Sequence, residues 1–110
     1  MIEDTIRKIE ARVTGAESVS EERRRELLQL LATLKDQVAN LARTNTEQAQ
    51  SIAGFAEVSA HEATREDQNP KLRELSLQGL SSSVEGFEQS HPALVRVVNS
   101  ISQMLASLGI

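Results

Sequence analysis

Apolar residues recur every three or four positions along most of this chain, which is the spacing of one face of an α-helix. The first run is short and is followed by Gly15, a residue that readily takes the left-handed backbone conformation found at helix ends. Its members are Ile2, Ile6, Ile9 and Val13. The pattern predicts a short N-terminal helix over about residues 2–14.

A second run alternates steps of four and three over several turns, which is a heptad repeat. Its members are Leu27, Leu31, Leu34, Val38, Leu41, Asn45, Gln48, Ile52 and Phe55. Ser18 or Ser20 can cap its start, and no strong helix breaker follows until the polar segment that ends in Asn69-Pro70. The pattern predicts one helix over about residues 20–66, roughly 70 Å long at 1.5 Å per residue.

A third run begins after that polar segment, where Asn69 is suited to cap a helix and Pro70 to open it. Its members are Leu77, Leu80, Val84, Phe87, His91, Leu94, Val98, Ile101, Leu105 and Leu108. The pattern predicts a turn at about residues 67–69 and a helix over about residues 70–108. Because proline removes a backbone donor, this helix is expected to be kinked or broken at His91-Pro92.

The stretch "QGLSSSVEG" has low helix propensity and leaves open a break between residues 79 and 92. Beyond the last apolar residue, Gly109 can end the third helix.

The two long segments predict an antiparallel helical hairpin, because the connection between them is short. If the hairpin folds about residues 68 and 69, Asn45 and Gln48 of one seam fall near His91 of the other. These residues, with Pro92 at the kink, are expected to form a buried polar layer that helps to set register. The fold class is therefore predicted to be all-α: one domain over residues 1–110, with a coiled-coil-like hairpin and a short N-terminal helix.

The open end of this hairpin carries more apolar side chains than one stripe per helix can bury. They are Leu27, Leu28, Leu30, Leu31, Leu94, Val95, Val97, Val98, Ile101, Met104, Leu105 and Leu108. The surplus predicts that the N-terminal helix packs there and that a second chain completes a helical bundle. A homo-oligomer, most simply a homodimer, is the expected state.

Composition and charge exclude several classes of function and of site. The 110 residues fit one domain, and a net charge of −4 lacks the basic footprint of a nucleic-acid-binding protein. No cysteine is present, so disulfides and thiolate metal sites are excluded. No apolar run approaches the ~18 residues of a membrane span, and no secretory leader opens the sequence. We expect a cytoplasmic protein that binds neither nucleic acid nor membrane.

The strongest candidate for chemistry is Glu88 and His91, which form the E-x-x-H spacing of carboxylate-bridged di-metal sites in helical bundles. Such a site needs two of these motifs, and the chain has one. A symmetric dimer would supply the second copy, with Glu47 or Glu85 as further ligands. The pattern favours a hydrogen-bonded histidine in the polar layer, with metal or small-ligand binding as the alternative.

Three other polar groups favour structural interpretations. Glu57 and His61, with Glu62 beside them, could hold a metal weakly, but they are typical of a solvated helix face. Arg23–Arg25 lie among glutamates that can pair with them along a helix. Ser81–Ser83 have no histidine base with an orienting partner nearby in the sequence. No catalytic residue and no cofactor is predicted.

The ending "FEQSHPALVRVVNSISQMLASLGI" resembles a family of short bacterial proteins known as a domain of unknown function. The resemblance rests on Phe87, Glu88, His91, Pro92, Leu94, Leu105, Gly109 and Ile110 and covers about the last 35 residues. It implies a helical fold and no catalytic residue.

The sequence thus predicts a non-enzymatic structural or protein-interaction module that acts as a homo-oligomer. A metal- or small-ligand-binding bundle using Glu88 and His91 is the alternative. A third possibility is that the chain regulates an unidentified protein partner.

Overall fold

A computed structural model describes residues 2–108, and within this range the chain forms five α-helices and no β-strand. The helices are α1 (Ile2–Gly15), α2 (Glu21–Ala42), α3 (Thr46–Thr64), α4 (Pro70–Ser83) and α5 (Pro92–Leu108). The all-α prediction is confirmed. Gly109, expected to end the last helix, and Ile110 lie outside the described residues.

α3 and α4 run antiparallel. The Gln48 side chain donates a hydrogen bond to the Ser83 carbonyl at 2.6 Å, and the Ser59 hydroxyl donates to the Ser76 carbonyl at 3.0 Å. Residue numbers therefore rise along α3 as they fall along α4. α5 contacts α2, α3 and α4, while α1 contacts α2 and α3. α2 to α5 thus pack together as a helical bundle, and α1 packs against α2 and α3.

α3 is the central helix, since it contacts each of the other four. Its buried face is made of small side chains, which let neighbouring backbones approach closely. These include Ala49, Ala53, Ala56, Ala60 and Ala63. Ile52 is the large buried residue among them.

The core between α2 and α5 is aliphatic. Its fully buried residues are Leu27, Leu31, Leu34, Val38 and Leu41 on α2, and Leu94, Val97, Val98, Ile101 and Leu105 on α5. Leu28, Leu30, Val95 and Met104 pack partly buried against it. Much of the apolar surplus at this end is thus buried by the chain's own helices, while Leu28, Leu30, Val95 and Met104 stay partly exposed.

The prediction of one helix over residues 20–66 is wrong, because the chain turns sharply at residues 43–45. The amides of Thr44 and Asn45 both donate to the Leu41 carbonyl, at 3.1 and 2.8 Å. The Asn45 side chain then accepts from the Gln48 amide and caps α3. Folding back brings α2 and α3 into contact, so that their apolar faces lie in one core.

The third predicted helix is broken rather than kinked. α4 ends at Ser83, residues 84–91 form an irregular connection, and α5 begins at Pro92. Gly86 takes a φ of +94° in this connection, a conformation that costs a residue with a Cβ atom. The long hairpin is accordingly replaced by a bundle whose longest dimension is 37 Å.

Candidate functional site

Glu88 and His91 lie in the irregular connection between α4 and α5. Because residues 84–91 are not helical, the E-x-x-H spacing does not place the two side chains on one helix face. The Glu88 carboxylate accepts from the Gly86 amide at 2.8 Å. The His91 ring contacts the Ser90 hydroxyl at 3.0 Å and packs edge-on against Phe87. The structure therefore gives each residue its own neighbours and does not join them.

His91 is instead the residue from which α5 starts. Its carbonyl accepts the first helical hydrogen bond, from the Val95 amide at 3.2 Å, and its own amide donates to Phe87. Pro92 occupies the first helical position, where a missing donor costs nothing. Within residues 2–108, no group of three or more histidine, aspartate or glutamate side chains is arranged to hold a metal ion.

The predicted polar layer is distributed over two turns at one end of the bundle. Asn45 is exposed and caps α3, while Gln48 is half-buried and bonds to the last residue of α4. His91 is half-buried in the next connection. The three residues continue the heptad spacing in the sequence, but they do so as residues of helix ends rather than of a core.

On the far half of α3, the Glu62 side chain is almost fully buried, at 8% exposure. Arg65 donates to its carboxylate at 3.1 Å, and the His61 ring lies 3.9 Å away. Glu57, one helical turn before His61, lines the cleft beside α1. The ion pair of Glu62 and Arg65 closes the last turn of α3, and the His61 ring lies beside it.

Of the three consecutive arginines, Arg24 has a defined structural task. Its guanidinium donates to the carbonyls of Val13, Ala16 and Val19 at 3.2, 2.6 and 3.0 Å, and it pairs with Glu21 at 2.6 Å. Arginine suits this task because its donors are arranged as a rigid fork. The side chain thus attaches the end of α1 and the following turn to α2.

A cleft of about 810 Å³ lies between the C-terminal half of α1 and α3. Lys8, Arg12 and Arg65 line it together with Glu57 and Glu66. Because cations and carboxylates share its walls, the cleft does not present one sign of charge to a ligand.

The most distinctive surface lies across α3 and α4. Among residues 2–108, four large apolar side chains are exposed, and all four belong to these two helices. Phe55 and Val58 on α3 are 42% and 48% exposed; Leu72 and Leu75 on α4 are 43% and 48% exposed. Helical spacing places them on the outer side of both helices. We call this surface the α3–α4 face.

The α3–α4 face is closely packed at its centre. A Cβ atom added at Gly79 would overlap the Phe55 ring at Cδ1 and Cε1 and would lie 3.1 Å from Cζ. The ring of α3 therefore rests directly on the backbone of α4. The absence of a Cβ atom at Gly79 leaves the space that the Phe55 ring occupies.

The sequence contains an indication of the α3–α4 face that the heptad pattern did not include. Val58, Leu72 and Leu75 lie outside both predicted seams, and Phe55 was assigned to a seam. Apolar residues beside a seam are the ones that a two-helix hairpin leaves exposed.

Comparison with known families places most of the chain in one of them. Residues 27–110 match the family model of a domain of unknown function, DUF4404. The chain belongs to the DUF4404 family. No curated protein and no solved structure matches the chain.

The resemblance seen in the sequence is thereby confirmed at the level of a family of unknown function. The DUF4404 match extends well beyond the last 35 residues and takes in α3, α4, α5 and most of α2. The α3–α4 face lies wholly inside the match, whereas α1 lies outside it. None of the helices within residues 2–108 combines the length and apolarity required to cross a membrane.

Proposed function

We propose that this DUF4404 protein is a structural and protein-interaction module that forms a homodimer through its α3–α4 face. The observation that carries the proposal is the gathering of Phe55, Val58, Leu72 and Leu75 on one surface of two adjacent helices. Scattered single apolar residues are normal on a protein surface, but a contiguous group marks an interaction site.

The size of the face suits a second copy of the chain. The four side chains expose on the order of 300 Å² of apolar area, which is the scale of a functional patch on a monomer. α3 and α4 are about 28 and 21 Å long, and together they are about 20 Å wide. A corrugated surface of that footprint approaches the ~800 Å² per partner of a standard interface.

The charges of the face also favour self-association. Helical spacing places the neutral side chains of Ser51, Gln78 and Ser82 beside the apolar ones, together with the exposed Lys71, which lies four residues before Leu75. Glu62 is already paired with Arg65. A chain of net charge −4 repels its own copies in general, so a face with few free charges is where two copies approach at least cost.

The dimer proposed here uses a different surface from the one that the sequence suggested. The open end of the predicted hairpin is filled within one chain, and the unburied apolar side chains lie on α3 and α4 instead. The proposal needs no catalytic group and no cofactor.

Sedimentation equilibrium over a concentration series tests the proposal. The expected mass at high concentration is twice the chain mass of 12.1 kDa. Leu75→Glu, which places a carboxylate on the face of each copy, should weaken the dimer at least tenfold, because burying an unpaired charge is costly. Ala32→Glu adds the same charge on the exposed side of α2 and should leave the dimer intact.

A wild-type chain that stays monomeric throughout the series would remove the basis of the proposal. So would a dimer that Leu75→Glu and Ala32→Glu affect equally, since the interface would then lie elsewhere.

A further inference from the structure

The two walls of the cleft between α1 and α3 carry charges of opposite sign. Lys8 and Arg12 line the cleft from α1, and Glu57 lines it from α3. Because Lys8 and Arg12 are four residues apart on one helix, they lie on the same face of it. The cleft therefore has two neighbouring cations on one wall and a carboxylate on the other.

These three charges are not used within the chain. Within residues 2–108, the side chains of Lys8, Arg12 and Glu57 form no ion pair and no hydrogen bond. Glu57 is half-buried, and a charged group that loses part of its water is normally paired. Arg65, a third cation of the cleft, is already paired with Glu62 at 3.1 Å. The Glu57 carboxylate and the α1 cations thus line one cleft without neutralising each other.

The balance of charges indicates the class of ligand. Three basic and three acidic residues line the cleft: Lys8, Arg12, Arg65, Glu17, Glu57 and Glu66. A simple anion or a simple cation would meet three groups of its own sign. A zwitterion, which carries an ammonium and a carboxylate group, meets partners for both of its charges.

The cleft has room for a ligand larger than a single amino acid. Its volume of about 810 Å³ lies within the roughly 300–1,000 Å³ of ligand-binding clefts. A Cβ atom added at Gly15, on the α1 wall, would meet nothing within 4 Å. Along α3 the cleft extends from Glu57 to Glu66, about 14 Å at 1.5 Å per residue. An extended chain of three residues is about 10 Å long, so a tripeptide fits this length.

We propose that the α1–α3 cleft binds a short peptide with free ends. Lys8 and Arg12 hold its terminal carboxylate, and Glu57 holds its terminal ammonium group. The peptide thus bridges opposite charges that do not reach each other in the chain. The proposal is independent of self-association, which uses the α3–α4 face.

Trialanine is the probe, and its titration into ¹⁵N-labelled protein is followed by the amide chemical shifts. The shift changes should saturate and should concentrate in residues 8–18 and 57–66. Ion pairs at exposed sites are weak, so the dissociation constant is expected on the order of 1 mM. N-acetyl-trialanine lacks the ammonium group and trialanine amide lacks the carboxylate, and each should bind at least about threefold more weakly. Alanine should also bind at least about threefold more weakly, because its two charges share one carbon atom and cannot reach both walls.

Matched variants assign each end of the peptide to its partner. Glu57→Gln should weaken binding of trialanine at least about threefold but should not change binding of N-acetyl-trialanine, which has no ammonium group. Arg12→Gln should weaken binding of trialanine in the same way and leave binding of trialanine amide unchanged. Arg96→Gln removes an exposed cation of α5 outside the cleft and should leave all affinities unchanged. Gly15→Leu places a side chain in the open space of the cleft without altering a charge and should abolish the shift changes.

The absence of a saturable shift change with trialanine would overturn the proposal. So would capped peptides that bind as tightly as trialanine, since the charges of the ends would then have no role. Equal weakening of trialanine and N-acetyl-trialanine by Glu57→Gln would show that Glu57 does not hold the ammonium group. Alanine that binds as tightly as trialanine would assign the cleft to a free amino acid and overturn the assignment to a peptide.

Discussion

Gly54 and Gly79 offer a matched pair of substitutions that tests the packing of the α3–α4 face. Each lies within a helix and is partly buried. A Cβ atom at Gly54 would meet nothing within 4 Å, whereas one at Gly79 would overlap the Phe55 ring. The same change to alanine should therefore have opposite outcomes at the two positions.

The magnitudes follow from helix propensity and from the burial of the ring. Alanine is favoured over glycine within a helix by about 0.8–1 kcal/mol, so Gly54→Ala should stabilise the protein by nearly that amount. Gly79→Ala gains the same term but displaces a ring that is 42% exposed. Since complete burial of a phenylalanine contributes about 1.5–3 kcal/mol, the displacement should cost about 1–2 kcal/mol. The net effect at Gly79 should be neutral to destabilising by about 1 kcal/mol.

A double-mutant cycle with Phe55→Ala separates these two terms. In the Phe55→Ala background the obstacle is gone, so Gly79→Ala should stabilise the protein by about 0.8–1 kcal/mol. The free energy of unfolding is measured by urea titration of all four chains at one low protein concentration. If Gly79→Ala stabilises the wild-type chain as much as Gly54→Ala does, the ring does not rest on α4 and the reasoning fails.

Three further substitutions test the helix ends. Arg24→Ala should destabilise the chain by about 2–3 kcal/mol in urea titration, because charged hydrogen bonds to part-buried carbonyls are lost. Arg24→Lys should restore only part of this stability. A loss below about 0.5 kcal/mol for Arg24→Ala would contradict the role of the guanidinium. Asn45→Ala should cost about 1 kcal/mol as a lost N-cap, with Asn45→Ser close to wild type; equal losses from both would argue against capping. Gly86→Ala should cost about 1–2 kcal/mol, since its φ is +94°, and Gly86→Asn should cost less; an unchanged melting temperature for Gly86→Ala would show that the turn relaxes freely.

The helical class and the order of apolar faces could be read from the sequence, because both depend on local spacing. The residues of α2 and α5 that the heptads assigned to a seam, such as Leu34 and Ile101, are buried, except that Leu108 is only partly buried. Asn69 caps α4 and Pro70 opens it, and both roles follow from the conformational preferences of single residues. The helical class, the buried face of each helix and the start of α4 can therefore be predicted from local sequence alone.

The break at residues 43–45 could not be read in the same way. Asn45 and Gln48 fit the heptad, so the apolar spacing continues through the turn although the helix does not. A short polar stretch can either continue a helix or cap a new one, and the difference in local free energy is about 1 kcal/mol. Burial of the aliphatic faces of α2 and α3 against each other decides it.

The position of the α3–α4 face also depends on the tertiary structure. Once α2 folds back on α3, most apolar residues of the predicted open end pack in the chain's own core. The exposed large apolar residues are then Phe55, Val58, Leu72 and Leu75. The sequence by itself determined that this protein is helical and which stripe of each helix is apolar. Only the tertiary structure decided which stripes meet, because the free energy of burial depends on all the helices that share a core.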